Sequence, residues 1–182
     1  MIRTELIAPV PVLLKRHARA RGDKVAFEDE DTSVTYADLD ASTARLGGHL
    51  VDMGIEVGDR VAIFVPNSVA WVQACLAIVR TGAVCVPISH DASEAEVLYR
   101  LQDAQCRCLF TTADKYPLVA SRLDDLPDLA RIVVAGAESC REGVVRSEPP
   151  PHGKTPRRPR RSGQGRGGRR AGMPPTGTCP QW

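Results

Sequence analysis

Long hydrophobic runs are the first thing this sequence lacks. No apolar stretch approaches the ~20 residues that span a bilayer, so a membrane protein built on such helices is not expected. The N-terminal stretch Met1–Pro11 carries Glu5, Pro9 and Pro11 in and around its only apolar patch. It has no small-residue cleavage site, and a signal peptide is not expected. Leu13 to Arg21 is basic in the manner of an organelle transit helix, but it reads rather as an ordinary amphipathic helix. The six cysteines also lack paired spacing. Cys106-x-Cys108 is not the C-x-x-C of redox or zinc sites, and no second pair stands at metal spacing; with a period of two, both thiols are expected on one side of a strand or its entrance, as buried apolar groups. That excludes a disulfide framework and leaves free thiols in a reducing, cytoplasmic setting.

What is present is ordinary for a globular protein. The 182 residues are 43% hydrophobic and 25% charged, enough for one domain with a real core. The net charge of +2 hides a split. From Glu138 onward nine Arg and one Lys face three Glu, a balance of +7, and the remainder carries −5. An acidic body is joined to a basic tail.

The body is organised around Gly58 to Pro87. Val61 to Val65 is a short, β-branched apolar run, suited to a strand buried on both faces. Pro66-Asn67-Ser68 breaks it, and Asn67 or Ser68 can cap a helix. Val69, Val72, Leu76 and Val79 then recur at helical spacing, Gly82 closes the helix, and Val84-Cys85-Val86 resumes as strand. This is one βαβ unit of a parallel sheet.

The flanking chain fits the same layer. Pro11 to Arg21 reads as a helix with Val12, Leu13 and His17 near one face. Val25–Phe27 and Ser33–Thr35 read as a hairpin around the acidic turn Glu28–Asp31. That turn lacks the ligand alternation and turn glycine of a cation loop and reads as solvated. Thr35 and Asp38 form a capping-box signature for a helix whose stripe is Leu39, Leu46 and Leu50. Gly47-Gly48 inside it costs about 2 kcal/mol relative to two alanines; close packing against the sheet is the expected reason. Ser93 and Glu96 form a second capping box, opening a helix to about Gln105. Arg107–Thr111 reads as a strand, Tyr116–Leu123 as a helix and Arg131–Ala135 as a strand. The expectation is a partial doubly wound, mostly parallel α/β sheet with flanking helices over residues 1–137.

Gly58-Asp59-Arg60-Val61-Ala62, Pro66-Asn67-Ser68 and Gly82-Ala83-Val84-Cys85-Val86-Pro87 resemble the early part of adenylate-forming enzymes, the AMP-dependent synthetases and ligases. These include acyl- and aryl-CoA synthetases and peptide-synthetase adenylation domains. Val34-Thr35-Tyr36-Ala37-Asp38-Leu39 is similar to the family's Thr-Tyr-x-Glu-Leu segment, with Asp38 in place of Glu. Glu94 to Ala104 with Cys108-Leu109-Phe110-Thr111 resembles its next helix and strand. The resemblance covers residues 9 to 137. It implies activation of a carboxylic acid with ATP and Mg as an acyl-adenylate, followed by transfer to a CoA or carrier thiol.

The family's defining phosphate loop, rich in Ser, Thr and Gly and ending in Lys, is not found after Arg131–Ala135. Neither is the later ribose-binding acid nor the C-terminal-domain lysine. Residue-by-residue transfer therefore yields no catalytic, cofactor-binding or metal-binding position. The expectation is a truncated synthetase, inactive alone, with ATP, Mg and CoA bound only by an intact relative. Its expected partner is the missing part of a synthetase.

Residues 138–182 have no hydrophobic period and are rich in Pro, Gly and Arg, which predicts disorder. Such a segment is what translation of a GC-rich coding region in another frame gives. The alternatives are a non-catalytic interaction segment and a nucleic-acid-binding tail; the tail's only aromatic for base stacking is Trp182. Gly163-Gln-Gly165-Arg-Gly-Gly168 spells G-x-G-x-x-G, but neither a strand before it nor a helix after it is expected. His90-Asp91 follows the Val84 strand, where open α/β sheets place ligands. The family has an Asn-Pro-like turn there, so His90 reads as a loop histidine.

Overall fold

A computed structural model describes residues 8–135 and the pair 143–144. The predicted disorder of 138–182, the Arg-rich tail and the 163–168 glycine pattern otherwise lie outside the described residues.

The first helix, α1, spans Val10–Arg21 and buries Leu14, while Val12 is exposed. The buried face is thus centred on Leu14, with the His17 ring 5.4 Å from that of Tyr36 and tilted 41° to it, rather than on Val12. Strands β1 (Val25–Glu28) and β2 (Ser33–Thr35) pair antiparallel as the predicted hairpin. Helix α2 runs Tyr36–Asp52. The Thr35 hydroxyl accepts from the Asp38 N–H at 3.2 Å and donates to its carboxylate at 2.7 Å. Asp, a methylene shorter than Glu, here meets the cap hydroxyl.

Strand β3 (Arg60–Phe64), helix α3 (Val69–Thr81) and strand β4 (Val84–Pro87) form the expected βαβ unit. Ser68 is the cap, its hydroxyl accepting from the Trp71 N–H at 3.2 Å. Gly82 ends α3 with φ +83°. Helix α4 (Glu94–Asp103) opens on a complete Ser93–Glu96 capping box. It stops two residues before the predicted end, and Gln105 turns the chain with φ +50°. Strand β5 (Cys108–Thr112), helix α5 (Tyr116–Ala120) and strand β6 (Arg131–Ala135) complete the layer. Helix α5 is shorter than predicted: the Ser121 hydroxyl bonds back to the Leu118 carbonyl, and a 3-10 turn, Leu123–Asp125, follows.

The sheet order is β4-β3-β5-β6, all parallel, with a two-residue strand β7 (Gly143–Val144) antiparallel to β6. Alternate residues fill two cores, as strands covered on both faces require. On one face Val61, Ile63, Cys108, Phe110 and Val133 meet Leu46 and Leu50 of α2 and Ala74, Ala77 and Ile78 of α3. On the other, Ala62, Phe64, Leu109, Ile132 and Val134 meet Val97, Leu98 and Leu101 of α4 and Val119 of α5.

Two local expectations change. Gly47 lies against α3, not the sheet: a Cβ there would stand 3.4 Å from the Ala77 carbonyl oxygen, while Gly48 faces open space. Cys106 and Cys108 do not share a side. Cys108 packs in the α2/α3 core and Cys106 in the α4/α5 core, because Cys106 precedes the strand and follows the Gln105 turn. Both are buried, and no disulfide joins them to each other or to the other described cysteines, Cys75 and Cys85. Among the described residues no helix is long and apolar enough to cross a membrane.

Candidate functional site

Sheet topology singles out one crevice. The chain leaves β3 through α3 towards β4, and leaves β5 through α5 towards β6, on opposite sides of the adjacent β3–β5 pair. The carboxyl ends of β3 and β5 therefore flank a topological switch point, where open α/β sheets leave room for a ligand.

The residues gathered there are Phe64, His90, Thr111, Thr112, Asp114 and Lys115. Register sets Thr111 beside Phe64 on β3 and Val134 on β6, all on the α4/α5 face. The His90 ring lies 6.2 Å from that of Phe64, and the Lys115 ammonium stands 5.6 Å over the Phe64 centroid. That placement attracts the cation to the ring face.

Three buried polar atoms near these strand ends have no hydrogen-bond partner among the described residues: His90 Nδ1, Thr111 Oγ1 and Thr112 Oγ1. Thr111 is fully buried. A buried hydroxyl without a partner costs free energy, and its presence at a switch point marks the crevice as unfinished. Asp114 is held below the ordinary aspartate range, first by the Thr112 hydroxyl and then by backbone, Lys115 and His90. The Thr112 approach is polar without closing a bond of ordinary geometry.

Chemically, the crevice offers a cation, an imidazole and hydroxyls to a polar or anionic group. Among the described residues no group of three His, Cys, Asp or Glu could hold a metal ion. His90, expected as a loop histidine at the strand end, is brought to the crevice; Asp91 is exposed. Thr111 was read only as the last residue of a strand and Thr112 was not singled out, since a Thr ending an apolar run carries no signal of its own. A separate groove of about 420 Å³ along α1, lined by Val12, Lys15, Arg16, Arg19 and Ala20, lies on another element.

The acidic turn has a structural task rather than mere solvation. Asp29 Oδ2 accepts from the Val69 N–H at 2.7 Å, while Oδ1 accepts from Asp31 and Thr32. These bonds, that of Val69 foremost, hold Asp29 below the ordinary carboxylate range.

The fold and its crevice define a doubly wound α/β protein with a polar switch point at the carboxyl ends of β3 and β5. The profile of the AMP-binding enzyme family matches residues 14–165, and the chain belongs to that family. The match runs past residue 137, through a stretch mostly outside the described residues. The chain is 40% identical over 111 residues to "Chalcone synthase cfoA" of Aspergillus candidus, covering 61% of this chain and 4% of that one. It is 33% identical over 128 residues to the "3-hydroxybenzoate--CoA/4-hydroxybenzoate--CoA ligase" of Thauera aromatica, covering 70% and 24% respectively. Among solved structures it resembles the anthranilate CoA ligase AuaEII in complex with anthranoyl-AMP. The TM-score is 0.70 at 28% identity, over 75% of this chain and 27% of that one. The chain thus spans about a quarter or less of the length of these relatives.

Proposed function

We propose that this chain supplies the opening α/β segment of an acid–thiol ligase, an enzyme that activates a carboxylic acid with ATP and passes the acyl group to a CoA or carrier thiol. The observation that carries the reading is the shared sheet, aligned with sequence identity, between this chain and a ligase whose structure holds an acyl-adenylate.

In the same reading the 182 residues do not catalyse adenylation by themselves. They include no Ser/Thr/Gly-rich loop ending in Lys, and nothing in them matches the ribose-binding acid or the adenylation lysine. ATP, Mg and CoA belong to the complete ligase. The partner is the remainder of a synthetase, and the unpartnered His90 and Thr111 at the strand ends support a further surface arriving there. The setting is the cytoplasm, whose reducing conditions suit described cysteines that carry no disulfide.

Two measurements test this. Carboxylate-dependent ATP–pyrophosphate exchange by the purified chain, with benzoate, 3-hydroxybenzoate or a medium-chain fatty acid and Mg²⁺, is expected to equal the blank; exchange above it overturns the claim of inactivity. Grafting residues 9–135 in place of the corresponding segment of the Thauera ligase is expected to preserve ligation. A folded chimera without adenylation overturns the claim that this segment is a ligase scaffold.

A further inference from the structure

Away from the crevice, two thiols meet on the other face of the sheet. Cys75 lies on α3, among Ala74, Ala77 and Ile78, and Cys85 lies on the edge strand β4 beside Val61. Val61 points into the α2/α3 core, so its register partner Cys85 faces α3. Both cysteines pack against that same core and both are only partly buried. The two thiols are near enough across the α3–β4 packing for each to shift the titration of the other. In the rest of the described chain Cys106 and Cys108 are buried in separate cores, so this is the one adjacent thiol pair among the described residues.

We propose that Cys75 and Cys85 are a thiol–disulfide pair: exchange with a low-molecular-weight disulfide, such as oxidised glutathione, closes them into a bond that staples α3 to β4. The two residues divide the labour. The neighbouring Cys85 thiol favours the Cys75 thiolate and brings its pKa down to about 7 against the opposing effect of burial; the same proximity and burial raise that of Cys85. A thiol poised near neutral pH is the better attacking group.

In the first step the Cys75 thiolate attacks one sulfur of oxidised glutathione, forming a mixed disulfide and releasing one glutathione thiolate. Cys85 then gives its proton to solvent and attacks the Cys75 sulfur, displacing the second glutathione. Two protein thiols are oxidised, one glutathione disulfide is reduced to two thiols, and a thiol reductant reverses both steps. The bond would fix an edge strand that has a neighbour on one side only.

The test uses the whole chain with Cys140 and Cys179 replaced by Ser, incubated with oxidised glutathione, blocked and cleaved with trypsin. Cleavage after Arg60, Arg80 and Arg100 places Cys75 in peptide 61–80 and Cys85 in peptide 81–100. The expected product is the two peptides joined, lighter by the two thiol hydrogens and separated again by dithiothreitol, with Cys106 and Cys108 unmodified. With Cys85→Ser, Cys75 is expected to stop at a stable glutathione adduct. Recovery of the two peptides unlinked from the oxidised chain overturns the proposal, as does a Cys85→Ser chain in which Cys75 takes up no glutathione.

Discussion

The Val69 N–H, at the start of α3, donates at 2.7 Å to Asp29 in the hairpin turn, 40 residues earlier. Ser68 already caps the helix through Trp71, so two side chains from distant parts of the chain share the orphan donors of one helix end. The turn between β1 and β2 is thereby tied to the parallel sheet's central crossover.

This tie predicts an acid-dependent stability. Asp29 has its pKa lowered in the folded chain, foremost by the Val69 bond. A carboxyl depressed on folding contributes fully above its unfolded pKa of about 3.9 and loses that contribution as pH falls through the folded value. Asp29→Ala is therefore expected to lower the urea midpoint at pH 7 and to approach the parent as the pH falls below the ordinary aspartate range. A midpoint difference that persists undiminished in acid contradicts the tie.

Gly82 is expected to be intolerant of substitution for two separate reasons. Its φ of +83° is a left-handed conformation, and a Cβ would stand 3.1 Å from the Val57 side chain. The backbone cost for an L-residue is about 1–2 kcal/mol. Val57 is 83% exposed and can move aside, so the backbone cost dominates. Gly82→Ala should lose about that much in urea unfolding at unchanged m-value, whereas Gly48→Ala, with open space around it, should gain about 1 kcal/mol from helix propensity.

Much of this was legible in the sequence because it is local. The caps Thr35, Ser68 and Ser93–Glu96, the Gly82 terminus and the β-branched runs each carry their signal within a few residues. What could not be read depends on chain segments meeting in space. Nothing in Glu28–Asp31 announces Val69, and nothing in the spacing of Cys75 and Cys85 announces a shared face. Cys106 was set on the wrong side because the period of two was extended through Gln105, whose positive φ breaks it. At the crevice, the rule that ligands gather at strand carboxyl ends pointed to His90; Phe64, Thr111 and Lys115 join it only through sheet order.

The contact between α2 and α3 rests on a second unannounced link. The Arg80 guanidinium donates to the Asp40 carbonyl at 3.0 Å and the Thr43 hydroxyl at 2.8 Å, and pairs with the Asp40 carboxylate. Thr43 is fully buried and also donates to the Leu39 carbonyl. Arg80→Met keeps much of the aliphatic stem but removes these bonds, and a loss of about 1–3 kcal/mol is expected. Arg80→Lys should recover only part of it, because an ammonium cannot span the same fork of acceptors. Equal stability of Lys and Arg variants in urea titrations would show that charge alone, not the fork, holds the helices.

The last prediction runs against the usual direction of core substitutions. Thr111 is fully buried between Phe64 and Val134 in the strand register, and its hydroxyl has no hydrogen-bond partner among the described residues. An unpaired buried hydroxyl costs about 1–3 kcal/mol relative to a paired or solvated one. Valine has nearly the same shape, suits a strand as well and carries no such debt. Thr111→Val is therefore expected to raise the urea unfolding free energy of this chain by about 1 kcal/mol, while Val134→Thr, which adds a hydroxyl nearby, should lower it. A side chain whose removal stabilises the fold breaks a local rule of the kind that functional sites break, which is the ground for treating this switch point as a candidate site. If Thr111→Val instead destabilises the chain, the hydroxyl is bonded within the fold and the crevice loses its strongest claim to be a site.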